Sequence, residues 1–315
     1  LQAIIGVCRM GERELTLNDI IFRIGPRLNA SGRVQNGQEA VSLLVENDYA
    51  TAKEMAEKID LYNDARKDLD KKMTEQAVEL VREMPALSER RGIVIYNPEW
   101  HKGVIGIVAS RLTEQYYRPV VVLTESEGVA TGSARSVSGF DIYKAVQNCA
   151  DLLQNFGGHT YAVGLTLKQE NIPEFRRRFQ EYVSNHIMPE QTQQTLDIDM
   201  EIDFQNINKR LLNELKKLAP HGPANEKPLF LTRNVYDYGT SKVVGRHQEH
   251  IKLELVDSKS AMVMNGIAFG QSAAARYIKS KRSFDIVFTI EENTYKRGEV
   301  QLQIEDIRPS EDEQL

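Results

Sequence analysis

Four short clusters combine residue types and spacings suited to holding an anion. The first, Gly25-Pro26-Arg27-Leu28-Asn29-Ala30-Ser31-Gly32-Arg33, puts two guanidiniums, an amide and two glycines into nine residues. Arginine takes phosphate with two parallel N–H bonds, and glycine lets the backbone approach it closely. The alternative is an ordinary turn with solvated arginines. The second cluster, Trp100-His101-Lys102-Gly103-Val104-Ile105-Gly106-Ile107-Val108-Ala109-Ser110-Arg111, is a polar loop that opens a helix of small and β-branched residues. Free N–H groups at a helix start favour an anion, with His101 and Lys102 beside them. The competing reading of Gly106 and Ala109 is tight helix packing. The third, Gly132-Ser133-Ala134-Arg135-Ser136, ends an expected strand with two hydroxyls around one guanidinium. It reads as a phosphate or carboxylate clamp, or as a strand-end turn whose serines cap the next helix. The fourth, Phe156-Gly157-Gly158-His159-Thr160-Tyr161-Ala162-Val163-Gly164, sets paired glycines before a histidine and runs into a strand. That is a backbone surface for a ligand, or a glycine-rich turn with a buried histidine.

Other chemistries lack their residues. No Ser/His/Asp order and no G-x-x-x-x-G-K-[ST] loop are present. Two cysteines, Cys8 and Cys149, cannot form a disulfide framework, and neither sits in a C-x-x-C or Cys/His group, which argues against a thiolate zinc site. Two unclustered cysteines point to a reducing, cytoplasmic compartment. No apolar run approaches the roughly 20 residues needed to cross a bilayer, and no signal peptide is read. The net charge of -5 leaves a nucleic-acid partner open, because a local basic groove acts within a Debye length of about 8 Å.

The elements that must position these clusters alternate along the chain. Residues 1–47 read as the tail of a domain, with the first cluster in a turn-rich stretch. From 48 to 84, Met55, Ile59, Tyr62, Leu69, Met73 and Leu80 recur at helical spacing without Pro or Gly, so one long amphipathic helix is expected, stopped by Pro85. Its thin apolar stripe predicts a helix that bridges two domains. Residues 85–187 alternate strand-like and helix-like segments: strands over 92–96, 119–123, 129–135 and 161–167, and helices over 104–116, 141–153 and 172–184. That alternation predicts a compact α/β domain. The polar stretch 188–195 reads as a linker. Beyond it, 195–315 is strand-rich, with period-two alternation over 196–204, a helix over 208–218 and five further strands, which predicts a small β-barrel. The fold class expected is therefore α/β plus all-β.

In this order and spacing, the four clusters resemble the C-terminal half of RecJ exonucleases in the DHH phosphoesterase superfamily. GPRLNASGR resembles the close of the catalytic DHH domain. WHKGVIGIVASRL, GSARS and FGGHTYAVG resemble the signatures of the DHH-associated domain. HGPANEKPLF followed by VVGRHQEHIKLEL resembles the start of the oligonucleotide-binding (OB) barrel. The resemblance covers nearly the whole chain and implies a substrate-binding portion of a single-strand-specific 5′→3′ exonuclease acting in DNA repair and recombination. The family cuts with two Mn or Mg ions held by motifs that include Asp-His-His. None occurs here, and His101, His159, His186, His221, His247 and His250 are scattered. The expectation is that the metal motifs precede Leu1, that this chain alone holds no cofactor, and that it is inactive by itself. The alternatives are a DNA-binding or partner-recruiting module, and part of a DHH phosphodiesterase acting on short oligonucleotides or cyclic dinucleotides.

By the same resemblance, Arg27, Asn29 and Arg33 face a cleft between lobes. His101, Lys102, Ser133, Arg135, Ser136 and the backbone at Gly157 and Gly158 line its other wall, with His159 beside them. They would hold a terminal phosphate, which is positioning rather than covalent chemistry. On the barrel, Lys242, Arg246, His247, His250 and Lys252 are candidate backbone contacts, and Tyr236, Tyr238 and Phe269 candidate stackers. Burial in the core is the favoured alternative for each aromatic. The expected partners are single-stranded DNA and other DNA-repair proteins, with no membrane and a monomeric chain.

Overall fold

A run without proline or glycine, opened by a side-chain cap, makes the longest element of the molecule. Asp48 accepts a hydrogen bond from the Thr51 amide at 2.8 Å, and helix α5 (Tyr49–Arg82) follows for 34 residues, about 50 Å. The computed structural model describes residues 1–11, 15–84, 90–222, 224–245, 247–293, 296 and 298–310. The expected stop at Pro85 and the candidate Arg246 lie outside the described residues. Two compact units divide the chain, Leu1–Gln194 and Thr195–Leu315. No helix among the described residues is long and apolar enough to cross a membrane.

In the first unit, α1 (Gln2–Val7), α2 (Leu17–Asp19), a π-helical turn (Ile20–Ile24), α3 (Gly25–Val34) and α4 (Gln38–Val45) precede α5. The stretch 25–34, expected as turn-rich, is thus a helix. Pro26 sits where the π-helical turn passes into α3, and Gly32 lies under the Gly37 backbone, where a Cβ would sit 3.6 Å from the Gly37 Cα. The buried stripe of α5 is Ala52, Ala56, Ile59, Asn63, Asp70, Met73, Ala77 and Val81. Of the six residues expected to form it, Ile59 and Met73 are fully buried and the other four flank it. The N-terminal half packs on Ala3, Ile4, Ile24 and Leu43; the C-terminal half packs on Ile93, Ile95, Val104, Val108 and Leu112.

The sheet of this unit runs β1 (Ile93–Tyr96), β2 (Val120–Ser126), β3 (Val129–Arg135), β5 (Ala162–Leu167), β4 (Leu153–His159) in space. Only β1 and β2 are parallel, with α6 (Ile105–Tyr116) as their crossover. Alternation assigns the faces. Ile93, Ile95, Val120 and Val122 meet α5 and α6, while Val94, Val121, Leu123 and Ala134 meet α7 (Ile142–Gln147) and α8 (Ile172–His186).

The helix expected over 141–153 is shorter than that. After α7 come a tight turn and the edge strand β4, because the Gly157–Gly158 segment pairs with Gly164 and Val163 instead of turning. The stretch expected as a linker is also partly fastened. Pro189–Thr192 forms a 3-10 turn, and Gln191 Nε2 donates to the Gly139 carbonyl at 2.6 Å.

The second unit holds a ring of five pairings. The strands β7 (Phe230–Asp237), β11 (Phe284–Glu292), β12 (Val300–Pro309), β10 (Val263–Ala268) and β9 (His250–Asp257) pair in that order, and β9 pairs back to β7. Two short strands flank the ring, β6 (Met200–Glu201) on β7 and β8 (Lys242–Val244) on β9. Of the strand expected over 196–204, only Met200–Glu201 pairs; the chain then turns so that the Phe204 amide meets Asp257 Oδ2 at 3.1 Å. The interior is filled by Phe204, Phe284, Phe288, Leu253, Leu255 and Leu302, with α9 (Lys209–Lys216) and α10 (Ala275–Ile278) packed on it.

Candidate functional site

Three of the four clusters meet at one place in the first unit. Arg33, at the end of α3, donates from Nη1 to the Gly103 carbonyl at 3.1 Å. The two backbones lie so close that a Cβ at Gly103 would fall 2.0 Å from the Arg33 carbonyl oxygen, so only glycine fits. Around this contact, His101 Nδ1 accepts from the Gly103 amide at 3.1 Å. Trp100 is buried, with its indole N–H on Gln76 at 2.9 Å. The His-Lys-Gly loop is therefore clamped between α5 and α3. Lys102 is exposed and pairs loosely with Glu127 at 3.4 Å, a contact of small energetic weight.

Beneath the first turn of α6 lies Arg135. It shares a face of β3 with Ser133, whose hydroxyl accepts from Arg135 Nη1 at 2.8 Å; the Ala134 carbonyl accepts from the same nitrogen at 2.8 Å. A Cβ at Gly106 would stand 3.0 Å from Arg135 Nη2 and 3.2 Å from Ser133 Oγ, so that glycine makes the room. Burial, and after it the charge of Arg33, holds the Arg135 guanidinium below its ordinary pKa. The charge of Arg33 is thus felt at Arg135, and an anion bound by both would relieve that repulsion.

Beyond α6 the same sheet face is bare. Register puts Ser133, Gly164 and Gly157 side by side across β3, β5 and β4. An open groove of about 350 Å³ is lined by Thr131, Asn155, Gly157, Gly164 and Thr166, among others. Nothing lies within 4 Å of a Cβ built on Gly157, so its bareness serves no packing purpose. Gly158 is different: its φ of +152° and a Cβ position 2.1 Å from the Ala162 carbonyl admit glycine alone. His159 is exposed at the end of β4, its Nδ1 accepting from the Tyr161 amide at 3.3 Å, so the reading of a buried histidine is corrected.

Other expected members are taken up elsewhere. Arg27 donates from Nε to Asp60 at 2.7 Å and ties α3 to α5. Ser136 donates to the Phe140 carbonyl at 2.6 Å and closes its own loop. Asp141, not a serine, caps α7. Asn29 is exposed on α3.

Three residues of this region escaped sequence reasoning. Asp70, on α5, accepts from Arg111 Nε and Nη2 at 2.8 and 2.7 Å, while Arg66 donates to Asn63 Oδ1 at 2.7 Å. Their signal was the buried stripe of α5, which turns polar at its centre. Among the described residues no three His, Cys, Asp or Glu side chains gather where a metal ion could be held.

The second unit places its candidates on the outside of the ring. Lys242 and Lys252 are register partners on β8 and β9, both exposed. His250 accepts at Nδ1 from the Gly270 amide at 3.0 Å and meets the Phe269 ring edge-on at 5.1 Å. Phe269, Tyr236 and Tyr238 are 55%, 39% and 60% exposed, which overturns the core reading of all three. They face solvent because the alternate positions, Val235 on β7 and Ala268 on β10, fill the interior. His247 lies in an exposed turn, its amide on Glu249 at 2.8 Å.

Comparison with known proteins gives this architecture its relatives. Residues 89–185 match the DHHA1 domain and residues 198–306 the RecJ OB domain. The single-stranded-DNA-specific exonuclease RecJ of Bacillus subtilis is 35% identical over 252 residues, which is 79% of this chain and 32% of that protein. The Haemophilus influenzae RecJ is 29% identical over 309 residues, 96% of this chain and 53% of its own length. A crystal structure of RecJ in complex with Mn2+ from Thermus thermophilus superposes with a TM-score of 0.78 at 25% identity, covering 98% of this chain and 44% of that one. The chain thus spans about a third to a half of the relatives it matches. With a DHHA1 domain followed by a RecJ OB domain, it belongs over this span to the RecJ family.

Proposed function

We propose that this chain is the substrate-holding portion of a single-stranded-DNA-specific 5′→3′ exonuclease of DNA repair and recombination. The observation that carries the reading is that Arg33, held on the Gly103 carbonyl, acts electrostatically on Arg135, which lies with Ser133 under α6 beside a bare, glycine-lined sheet face. The partly buried Arg135 and the exposed Arg33 bind a terminal phosphate, and the face without side chains admits the sugar-phosphate backbone next to it. Arg27 and Ser136 serve the scaffold, and Lys102 and Asn29 stand at the rim. The outer face of the ring, with Lys242, Lys252, His250, Tyr236, Tyr238 and Phe269, binds single strand by charge and stacking.

Phosphodiester hydrolysis in the intact enzyme we assign to two Mn or Mg ions. The described residues of this chain offer no donor set for them, so no bond-breaking step is derived from it. Its part is to bind and orient. The whole protein meets single-stranded DNA and other DNA-repair proteins and is read as a monomer. A phosphodiesterase of cyclic dinucleotides fits less well, because so small a substrate leaves the exposed aromatic face of the ring without use.

The test is direct. This chain, titrated into labelled single-stranded oligonucleotide with a 5′-phosphate, binds with an affinity that falls steeply between 50 and 200 mM salt, by about tenfold or more for a few released counterions. Absent or salt-independent binding overturns the reading.

A further inference from the structure

Around the proposed phosphate position, guanidiniums outnumber the carboxylate that balances them. Asp70 has a side chain only 3% exposed, and both of its oxygens are taken by Arg111 of α6. Arg66, itself 14% exposed at the side chain, stands 3.7 Å from the same carboxylate and leans on Asn63 instead. Burial pushes the Arg66 guanidinium below its ordinary pKa; Asp70 opposes that shift, while Arg33 and Arg111 add to it. The charge of Arg33 also reaches Arg135. Asn63, Arg66 and Asp70 lie at the centre of a helix stripe whose two ends are apolar. Apolar residues there would continue the packing at no desolvation cost, whereas a buried carboxylate paired with the 52% exposed Arg111 side chain is weak evidence for stability and is better explained by the geometry it imposes.

That geometry is a triangle of helix ties. Arg27–Asp60 fastens α3 to α5, Arg111–Asp70 fastens α6 to α5, and Arg33–Gly103 fastens the end of α3 to the loop that opens α6. Arg135 and Ser133 lie under α6 at Gly106, within 3.0 and 3.2 Å of a Cβ built there. Any slide of α6 along α5 therefore changes the space between Arg33 and Arg135.

We propose that Asp70 is a positioning residue for the phosphate site, which locks α6 onto α5 through Arg111 and so sets the separation of Arg33 from Arg135. The proposal rests on the reading of that site as a phosphate holder.

Charge and position predict opposite signs. Asp70→Asn removes the carboxylate beside the Arg66 and Arg111 guanidiniums, so electrostatics alone would tighten binding of a phosphorylated strand. Positioning weakens it. With this chain and oligonucleotides bearing a 5′-phosphate or a 5′-hydroxyl, the expected result for Asp70→Asn is about a tenfold loss for the phosphorylated strand and none for the hydroxyl strand, the size of one charge-assisted hydrogen bond set out of line. Arg111→Lys keeps the charge count but loses the two-pronged bond, and shows the same selective loss. It also decides the matter if Asp70→Asn does not fold by circular dichroism. Arg135→Ala is the control for the site itself. Unchanged or tighter phosphate-strand binding in Asp70→Asn or Arg111→Lys, with Arg135→Ala still impaired, overturns the positioning role alone. No loss in Arg135→Ala overturns the phosphate site and this proposal with it.

Discussion

The two units offer a nucleic acid two different kinds of surface. In the first, cations are tied down before any ligand arrives: Arg135 by Ser133 and the Ala134 carbonyl, Arg33 by Gly103, Arg111 by Asp70. In the second, Lys242 and Lys252 stand in solvent, and aromatic rings face outward from β7 and from the end of β10. Fixed guanidiniums lose little freedom when they bind, and the partial burial of Arg135 strengthens the bonds it makes. Exposed lysines keep their rotamers and their water, and they contribute a diffuse, screened attraction. The first surface is suited to recognising one end group, the second to gripping any stretch of strand.

That contrast breaks most visibly at Arg135. Arg135→Ala should weaken binding of a 5′-phosphorylated strand by about 10- to 100-fold, as expected for a lost charge-assisted bond of roughly 1.5–3 kcal/mol. The loss should shrink toward nothing for a 5′-hydroxyl strand in the same titration. An equal loss on both strands would make Arg135 a general backbone contact and erase the difference between the units.

Next in size come the exposed rings. Tyr238→Ala and Phe269→Ala should each weaken a long oligonucleotide by roughly fivefold, about 1 kcal/mol, the lower end for one stacked base. Neither should affect the preference for a 5′-phosphate. Lys252→Gln sharpens the same point with a smaller effect: a loss of about threefold, and a salt dependence shallower by about one counterion. A change in end-group preference from any of these three variants would mean that the ring, too, reads the terminus.

What could be read in the sequence divides along physical lines. Periodicity found α5, α6, α8 and most strands of both sheets, though not β4 or β8, because burial of one face repeats locally. The convergence of Arg33, Gly103 and Arg135 came only through family resemblance, since composition makes each cluster equally readable as a turn. Where glycine was decisive, local reading erred. The glycines of 25–34 belong to a helix packed against backbone, and Gly157–Gly158 belong to a strand, so neither marks a turn. Asp70 and Arg66 were hidden by their neighbours: on a helix rich in Asp, Lys and Glu, a buried carboxylate looks like a solvated one. Continuing the buried positions 52, 56 and 59 in steps of three and four reaches 63, 66 and 70, which would have exposed the polar centre. Its partner, 41 residues away on α6, could not have been paired by spacing.

The smallest effect is the most discriminating for the bare sheet face. Gly157 lies within β4, is not held at a positive φ, and has nothing within 4 Å of a built Cβ. Alanine there relieves the entropic penalty of glycine in a strand, so Gly157→Ala should hold or raise stability, by up to about 0.5–1 kcal/mol in a denaturant melt. The added methyl group projects into the groove that Thr131, Asn155 and Thr166 line, where the strand backbone is proposed to lie. Affinity for the phosphorylated oligonucleotide should therefore fall, by about two- to fivefold, while the fold is as stable as before or more so. A residue kept for packing loses both together, whereas one kept for a ligand separates them. Unchanged affinity in a stable Gly157→Ala chain would move the strand off this face, and would leave the arginines to hold the terminal phosphate alone.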